Sequence, residues 1–478
     1  MTDFDNHQVE PDHDQPLGHN SSSNSGTPFE LEYHAPKVLQ EADRKVRKET
    51  AEHVAEIRKS IEDFGFVIPV LIEGDGEIVD GHIRRRAAIE AGLPTIPCIP
   101  LAGLDETQRR KLKIAVNKLQ EKGTWDVELL KVEFEALDDL GVELTELGFE
   151  TGEIDVTIGG ADAADEDGSD PADRDAPAAG ADEDAVTRLG DLWRLGDHRV
   201  LCGNALADAD VSRALGGDQA RMVLTDPPYN VPIDGHVCGA GATKHREFAM
   251  ASGEMDDAAF ETFLADALAR AAAKAADGAI FFVFMDWRHA GHLTCAAARC
   301  DLTQENLCVW VKDNGGMGGL YRSRHELVFV FKVGAAKPVN NVQLGKHGRN
   351  RTNVWEYPGV NTLDPDRKSD LQFHPTVKPV ALCADAIRDV SHRGDVVLDP
   401  FLGSGTTLLA AERTGRRCAG LELSPPYCDV IVRRWEDLTS KEAVREADGA
   451  TFATRAAARD AETSNNQRDD GGDHDETA

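Results

Sequence analysis

Between residues 187 and 438, short apolar runs alternate with stretches of helical period, and this alternation constrains the fold more than any other feature of the chain. Strands that alternate with helices build a mostly parallel sheet with helices on both faces. We therefore predict an α/β fold with a doubly wound sheet in this half. Such sheets bind ligands outside the carboxyl ends of their strands. The residues that directly follow each apolar run are therefore the candidate functional residues.

Composition divides the rest of the chain. Residues 1–28 are polar without an apolar period, which predicts a disordered tail. Residues 29–148 carry helix and strand patterns and are predicted to form a small α+β domain with a helical extension. Residues 149–186, rich in Gly, Ala, Asp and Glu, predict an acidic flexible linker before a catalytic domain at 187–440. Residues 441–478 predict a second acidic, disordered tail.

The bulk composition excludes several classes of protein. The nine cysteines are scattered without a Cys-x-x-Cys pair, so neither a disulfide framework nor a zinc cluster is indicated, and we predict no metal site. No apolar run is long enough to cross a bilayer and no signal peptide is recognisable, which favours the cytoplasm and no membrane partner. Because the net charge is −33, contact with nucleic acid has to come from local basic patches.

The strongest motif is Thr225-Asp226-Pro227-Pro228-Tyr229-Asn230, directly after an apolar run. Asp226 can accept a hydrogen bond from an exocyclic amino group, and the prolines fix the backbone so that a carbonyl stays available as a second acceptor. Tyr229 offers a ring face for stacking, worth roughly 1–3 kcal/mol per base in single-strand binders. With no nearby metal ligands, this pattern favours methyl transfer to a nucleobase amine over hydrolysis. We predict Asp226, Pro227, Pro228 and Tyr229 as the catalytic residues.

A second motif, Asp399-Pro400-Phe401-Leu402-Gly403-Ser404-Gly405-Thr406-Thr407, joins an apolar run to a helical stretch. Glycines at a strand-to-helix turn let a ligand approach the backbone over a helix N-terminus. Glu422 ends the next apolar run, at a spacing suited to the two hydroxyls of a ribose. The alternative, a nicotinamide-dinucleotide turn, would need a third glycine where Leu408 stands.

Together these motifs resemble the permuted, beta-class-like amino-group DNA methyltransferases, in which the catalytic motif precedes the cofactor motif. The resemblance covers about 187–438 and rests on TDPPYN at 225–230, DPFLGSGTT at 399–407, HPTVKP at 374–379 and GDLWRLGDHRVLCGNA at 190–205. It implies a Rossmann-like methyltransferase fold, S-adenosylmethionine as cofactor and double-stranded DNA as substrate. It also implies a set of cofactor-binding residues: Asn204, Thr376, Lys378, Asp399, Phe401, Gly403, Gly405 and Glu422, with His374 near the methionine end.

The resemblance leaves more than one activity open. Within the family, Asp at the first position of the tetrad is more usual for the adenine N6 amine and Ser for the cytosine amine, so Asp226 favours adenine. Methylation of cytosine N4 is the alternative. A reading from another class is a ParB-like DNA- or nucleotide-binding regulator with a non-catalytic methyltransferase half. A homodimer and a separately encoded restriction nuclease, as in restriction-modification systems, stay open as partners.

Two segments are candidates for DNA contact. Residues 334–373 lack a regular apolar period and contain a basic stretch with Lys346, Arg349 and Arg351, which suits recognition of base edges. We predict a target-recognition region there. The loop that contains Arg322 and Arg324 is a further DNA-facing candidate. Trp355 and Tyr357 are interpreted as packing residues, because aromatic side chains mostly serve cores.

The N-terminal domain has a likeness of its own. The segment Val79-Asp80-Gly81-His82-Ile83-Arg84-Arg85-Arg86-Ala87-Ala88 resembles the ParB N-terminal, sulfiredoxin-like fold over about 38–99. In that family a glycine-rich turn and the arginines that open the next helix bind phosphates, which implies a phosphate or DNA-backbone site at Arg84, Arg85 and Arg86. A solvated helix face is the equal alternative.

Overall fold

A computed structural model describes residues 30–41, 50–101, 104–120, 124–159, 185–231, 251, 253–313, 315, 320–345, 350–359, 377–459 and 461. The predicted tail at 1–28 and the predicted linker between 160 and 184 lie outside these residues. The chain divides into two compact units, one formed by 1–125 with 146–148 and the other by 126–145 with 149–478. Within the described residues, no helix is long and apolar enough to cross a membrane.

The first unit is a small α+β domain, as predicted. Its elements in chain order are β1 (Glu32–His34), α1 (Ala51–Phe64), β2 (Val70–Ile72), β3 (Ile78–Asp80), α2 (His82–Glu90), β4 (Ile96–Pro100) and α3 (Glu106–Gln120). The strands form a mixed sheet in the order β1-β4-β2-β3. Helix α1 begins where the Thr50 hydroxyl accepts the His53 N–H and ends at Gly65, whose φ is 77°.

The second unit holds the large sheet. Its elements are α4 (Val127–Asp139), α5 (Thr151–Gly159), β5 (Leu192–Leu195), β6 (His198–Cys202), α6 (Asp208–Leu215), β7 (Ala220–Thr225), α7 (Asp257–Lys274), β8 (Ala275–Met285), α8 (Ala290–Arg299), β9 (Thr303–Val311), β10 (His325–Lys332), β11 (Val354–Glu356), α9 (Val380–Val390), β12 (Val396–Asp399), α10 (Thr406–Arg413), β13 (Arg417–Glu422), α11 (Pro425–Thr439) and β14 (Val444–Arg445).

Ten strands pair in the order β11-β9-β10-β8-β7-β12-β13-β6-β5-β14. The central five, from β8 through β6, are parallel, and antiparallel pairs flank them on both sides. Side chains alternate between two buried clusters, with Met222 and Leu224 in one and Val223 in the other. A strand that is buried on both faces needs a continuous apolar run, and that is why these strands were recognisable from the sequence.

Residues 151–159 correct the predicted domain boundaries. They form α5, so the prediction of a flexible linker from residue 149 is wrong there. Ile154 packs with Phe134 of α4, and Asp155 makes a bidentate ion pair with Arg416, with both N–O distances 2.8 Å. The acidic composition of this segment predicts a flexible linker. The segment instead forms a helix in which Arg416 neutralises the buried Asp155 carboxylate. Helix α4, predicted as an extension of the first domain, belongs to the second unit.

The predicted C-terminal tail also begins later than expected. Residues 444–445 form strand β14, which pairs with β5, and residues 452–459 are helical. Phe452 is buried and its ring lies 5.4 Å from that of Trp193. A single buried aromatic thus fixes a segment whose charged composition predicts disorder. Residues 462–478 lie outside the described part of the chain.

Candidate active site

The two sequence motifs meet at neighbouring strand ends. Strands β7 and β12 are paired in parallel, with Met222 opposite Val397 and Val223 opposite Leu398. The turns that begin at Asp226 and Asp399 therefore leave the sheet side by side, which confirms the predicted juxtaposition of the two motifs. A cavity of about 460 Å³ opens at this edge.

Ten of the predicted residues share this cavity. They come from four strand ends and from the segment before α9: Asn204, Asp226, Pro227, Pro228, Tyr229, Lys378, Asp399, Phe401, Gly403 and Glu422. Sequence reasoning missed other lining residues, including Phe284, Leu423, Ser424 and Tyr427. Tyr427 follows the two prolines that begin α11, five residues after Glu422. A helix start so close to Glu422 is a signal that could have been used.

The Asp226 carboxylate is held by two donors. The Tyr229 hydroxyl donates to Oδ1 at 2.6 Å, and the Lys378 ammonium donates to Oδ2. Burial raises the pKa of Asp226, while Lys378 works in the opposite direction. Burial, followed by the nearby Asp226 charge, raises the pKa of the Tyr229 phenol well above its usual range. Each carboxylate oxygen keeps a lone pair for a further donor in the cavity.

Lys378, predicted to contact cofactor, is bound to the Asp226 carboxylate. Its side chain is 6% exposed, and its Nζ lies 3.2 Å from Oε2 of Glu326 as well as on Asp226. Burial disfavours the charged ammonium, but the two carboxylates outweigh it and raise the pKa of Lys378. Glu326 lies at the start of β10. Nothing in the sequence marks it as a site residue, because an acid at a strand start usually faces solvent. Whether Lys378 also reaches cofactor stays a prediction.

Asp399 is held differently. Its Oδ1 accepts the Thr225 hydroxyl at 2.9 Å and the Phe401 N–H at 3.0 Å, and its Oδ2 accepts the Thr407 hydroxyl at 2.7 Å. The carboxylate is buried, and burial raises its pKa to about 6 against these three hydrogen bonds. Asp399 thus connects β7, β12 and α10, which makes it a residue that shapes the site more than one that contacts a ligand.

Glu422 ends β13 beside the glycine turn. Its Oε2 accepts the Gly403 N–H at 2.9 Å and its Oε1 accepts the Ser424 N–H at 2.8 Å. Burial raises the pKa of this carboxyl to about 7 in spite of these two donors. Each of the two carboxylate oxygens is thereby held by one backbone N–H. This orients the carboxylate for binding two vicinal hydroxyls.

The two glycines of the second motif have different tasks. At Gly403, with φ 55°, an added Cβ would meet no atom within 4 Å, so the free space beside it belongs to the cavity. At Gly405, with φ 89°, an added Cβ would lie 3.1 Å from the Ile431 side chain. Gly405 is not among the residues that line the cavity. Gly405 therefore packs closely against α11, and its predicted cofactor contact stays a prediction.

Asn204 lines the cavity after β6. Its Oδ1 accepts the Leu206 N–H at 2.9 Å, and its own N–H is held by Asp210 at 2.8 Å. These bonds fix the turn so that the amide stays at the cavity wall. Thr376 and His374 lie outside the described residues, so their predicted cofactor roles remain predictions.

The motif residue Asn230 has a positioning role that the sequence did not indicate. Its φ is 56°, and its side chain donates to the Met255 carbonyl at 2.7 Å and accepts the N–H groups of Gly253 and Met255. These contacts hold the end of the Asp-Pro-Pro-Tyr turn against the segment before α7.

The predicted DNA-contact residues divide into two groups. Arg322 and Arg324 are exposed between β9 and β10, where a DNA contact stays a prediction. Arg351 lies inward: its guanidinium binds Asp385 and Asp389 at 3.0 Å each and the Tyr357 hydroxyl at 2.7 Å. The prediction that Arg351 faces DNA is wrong for this reason. Lys346 and Arg349 lie outside the described residues.

The neighbours of Arg351 have packing roles, as predicted. Trp355 is buried, with its ring 5.7 Å from that of Phe282. The Tyr357 hydroxyl binds Asp385 at 2.5 Å. Both aromatic side chains are therefore part of the protein interior.

In the first unit, the arginines of α2 bind carboxylates. Arg84 pairs with Asp80 at 2.7 Å, Arg85 with Glu41 at 3.1 Å, and Arg86 with Glu90 at 3.3 Å. The side chains of Arg84 and Arg85 are only 22% and 14% exposed. These pairs give the arginines a role within the fold, and the phosphate site there remains a prediction.

The parallel strands, with a cavity at their carboxyl ends that joins the glycine turn to the Asp-Pro-Pro-Tyr turn, form the Rossmann-like doubly wound sheet that the sequence resemblance implies. Comparison with known families agrees: residues 220–433 match the DNA methylase family of the N6/N4 kind. Residues 22–129 match the ParB N-terminal domain, and residues 128–189 match the ParB-methyltransferase HTH domain. These matched segments agree with the two resemblances seen in the sequence, a DNA methylase behind a ParB-like domain. That family uses S-adenosylmethionine, the cofactor that the sequence predicts.

Two curated relatives show how far the similarity extends. The type II methyltransferase M.HpaI of Haemophilus parainfluenzae is 26% identical over 50% of this chain and 74% of its own length. The DNA adenine methyltransferase YhdJ of Escherichia coli (strain K12) is 39% identical over 20% of this chain and 31% of its own length. For two further methyltransferases the chain spans 29% and 31% of their length. Among solved structures, the cytosine-N4-specific PvuII DNA methyltransferase has a TM-score of 0.39 at 15% identity, over 51% of this chain and 91% of that one.

Proposed function

We propose that the protein transfers a methyl group from S-adenosylmethionine to the N6 amino group of adenine in double-stranded DNA. The observation that carries this proposal is the single cavity lined by Asp226 and Tyr229 from one strand end and by Gly403 and Glu422 from two others. The family match of 220–433 supports DNA as the substrate class. The aspartate at position 226 supports adenine over cytosine.

The residues of the glycine turn fit the cofactor. S-adenosylmethionine supplies a methyl group bonded to a positively charged sulfur. Glu422 would accept the ribose hydroxyls with the lone pairs that Gly403 and Ser424 leave open. The space beside Gly403, which a side chain would fill, admits the ligand close to the backbone. Phe401 and Tyr427 supply apolar walls for the remainder of the molecule.

The residues of the catalytic turn fit the acceptor amine. Asp226 keeps one lone pair on each oxygen after binding Tyr229 and Lys378, and it can accept a hydrogen of the amine. That bond orients the nitrogen lone pair toward the methyl group, and holding two reactants in such a geometry supplies much of the acceleration. Because the amine is unreachable inside a duplex, the base has to leave the stack at a cost of a few kcal/mol. Stacking against Tyr229 offsets part of that cost.

Asp226 is also placed to receive a proton. The new nitrogen–carbon bond would form as the methyl–sulfur bond breaks, with the electron pair of that bond staying on the sulfur, and the amine would then have to lose one hydrogen as a proton. Burial already raises the pKa of Asp226, which favours its protonated form after transfer. This role requires Asp226 to be ionised before the reaction.

The function is tested with purified protein, tritium-labelled S-adenosylmethionine and genomic DNA from cells without DNA methylation. We expect label in the DNA and N6-methyladenine among the nucleosides released by digestion and identified by mass spectrometry. N4-methylcytosine instead would correct the base and keep the rest of the proposal. No methylated base with wild-type protein would reject the function. Sequencing the same DNA at single-molecule level would give the recognition sequence.

The cofactor site is tested separately. Glu422→Gln removes the charge but keeps the shape of the side chain, so we expect the dissociation constant for S-adenosylmethionine to rise about 10-fold, the effect of weakening a hydrogen bond to a charged group. Because the pKa of Glu422 is about 7, wild-type affinity should fall as pH decreases through that value, and affinity of the variant should not. Isothermal titration calorimetry measures both. Equal affinity in the two proteins at pH 8 would remove Glu422 from the site.

Two broader expectations follow from DNA as the substrate. We propose the cytoplasm as the location, because the proposed substrate is DNA of the same cell. The homodimer and the separately encoded restriction nuclease remain predictions, to be checked by sedimentation of the purified protein and by the genes that adjoin its own.

A further inference from the structure

A row of four charged side chains extends away from the catalytic carboxylate. Asp226 binds Lys378, Lys378 lies 3.2 Å from Glu326, and Glu326 binds Lys312. The signs alternate along the row, and exposure of the side chains is 23%, 6%, 17% and 29%. The four groups come from the turn after β7, the segment before α9, the start of β10 and the residue after β9. Four separate segments thus meet in one row that ends at Asp226.

The burial of these charges calls for a reason beyond stability. Removing ions from water costs several kcal/mol per ion, and a buried pair seldom stabilises a fold more than apolar side chains would. Lys378 alone could neutralise Asp226. The second pair, Glu326 with Lys312, adds cost without adding a contact to Asp226. What it adds is a fixed position for the lysine ammonium.

A lysine side chain needs such fixing. Its four-carbon stem is flexible and its ammonium is a point charge without directional preference. Here Nζ lies 5.0 Å from the Phe284 ring centre and 5.9 Å from that of Tyr229, which confines the stem between two rings. The carboxylates of Asp226 and Glu326 then hold the ammonium from two sides. Lys312 in turn lies 4.4 Å from the Trp310 ring and fixes Glu326.

We propose that Glu326 and Lys312 are positioning residues for methyl transfer: Glu326, anchored by Lys312, holds Lys378 against one oxygen of Asp226 and so aims the carboxylate at the acceptor amine. This inference rests on the proposed function, because it needs Asp226 to contact that amine. Glu326 and Lys312 touch neither base nor cofactor and act through Lys378. They are not among the residues that line the cavity.

The charges around Asp226 give the proposal a pH signature. The groups that act on it are Lys378, Glu326 and Tyr229, with Asp399 at the neighbouring strand end and Asp286 beside Tyr229. Activity requires ionised Asp226, so the rate falls as pH decreases through its pKa. Lys378→Met removes the cation that lowers this pKa, so the acid limb of the rate profile should move to higher pH. Glu326→Gln removes an anion that raises it, so the limb should move to lower pH.

The experiment compares Glu326→Gln, Lys312→Met and Lys312→Arg with wild type, and uses Glu305→Gln as the matched control. Glu305 forms an ion pair of the same type with Lys332 on the same hairpin, 3.5 Å apart and remote from the cavity. We expect Glu326→Gln to lower kcat about 10- to 100-fold, the range expected when a reacting group is slightly misplaced. Lys312→Met should lower kcat less, and Lys312→Arg should restore it.

The readouts besides kcat are the acid limb, the dissociation constant for S-adenosylmethionine from calorimetry, and the melting temperature. Unchanged cofactor affinity with a shifted acid limb supports positioning. A wild-type kcat and acid limb in Glu326→Gln would overturn the inference, as would an equal effect of Glu305→Gln. If Glu326→Gln does not fold, the pair Lys312→Met and Lys312→Arg decides the matter by the presence or absence of rescue. Wild-type protein without any transfer to DNA would reject the proposed function instead.

Discussion

Asp226 and Asp399 each begin an Asp-Pro turn at the end of one of two neighbouring parallel strands, yet their surroundings differ. Asp399 accepts three hydrogen bonds from neutral donors within the fold, so the protein itself occupies about three of the four acceptor sites of its carboxylate. Asp226 accepts one bond from Lys378 and one from Tyr229, and keeps capacity toward the cavity. The Asp-Pro dipeptide therefore has a structural role in the turn at Asp399 and faces the cavity in the turn at Asp226. The donors that bind each carboxylate decide which role it has.

The largest expected effect distinguishes the two turns by activity. Asp226→Asn removes a negative charge from the acceptor site but leaves its shape, and we expect kcat for methyl transfer to fall by at least about 100-fold, as when one preorganised electrostatic group is deleted. Transfer of labelled methyl to DNA measures this, with cofactor affinity as the control. Activity close to that of wild type would show that Asp226 is not the group that orients the amine.

The matching change in the other turn should act on stability. Asp399→Asn presents an amide NH₂ group to a site that holds only donors, so we expect the free energy of unfolding to fall by about 1–3 kcal/mol. Urea unfolding of the cofactor-free protein measures it. If Asp399→Asn unfolds like wild type while methyl transfer is lost as completely as in Asp226→Asn, the contrast between the turns is wrong.

A smaller change sharpens the same comparison. Thr225→Val removes one of the three donors to Asp399 and keeps the β-branched shape of the strand residue. We expect a loss of about 1 kcal/mol, the net value of one hydrogen bond. The double variant with Asp399→Asn should lose less than the sum of the single variants, since both act on one bond. Strict additivity would contradict a direct Thr225–Asp399 contribution.

The last comparison concerns pH dependence. The pKa of Asp399 is about 6 in the folded protein and ordinarily 3.8, so the folded state keeps a proton that the unfolded state releases over this range. The contribution of Asp399 to the free energy of unfolding therefore falls as pH rises from about 4 to about 6. Melting curves of wild type and Asp399→Asn over this range should converge toward higher pH. Parallel curves would contradict a raised pKa of Asp399 in the folded protein.

The sequence predicts this site well where a local signal exists. An apolar run followed by Asp-Pro locates a strand end, and parallel strands place such ends on one edge, so the meeting of both motifs follows from the sequence. Side-chain partners far apart in the chain have no such signal. Asp226 and Lys378 are 152 residues apart, and nothing local distinguishes a lysine that binds a catalytic carboxylate from one that binds cofactor.

The errors have the same origin. Arg351 lies in a basic stretch, which predicts contact with DNA, yet Asp385 and Asp389 neutralise it from α9. Asp155 lies in an acidic stretch that predicts exposure to solvent, yet its carboxylate is buried in an ion pair with Arg416. Composition reports the net charge of a segment but not which of its charges are paired at long range. The predictions failed at buried charges with a distant partner.

The pair Asp155–Arg416 has a consequence for how this chain can be divided. Arg416 precedes β13, the strand that ends in Glu422, while Asp155 belongs to the segment that matches the HTH domain. A fragment cut at residue 185 would keep the arginine and lose its counter-ion together with the helix that carries it. The segment that matches the methylase family therefore depends on an ion-pair partner outside it. Recombination that exchanges the preceding helix has to supply a matching acid for Arg416.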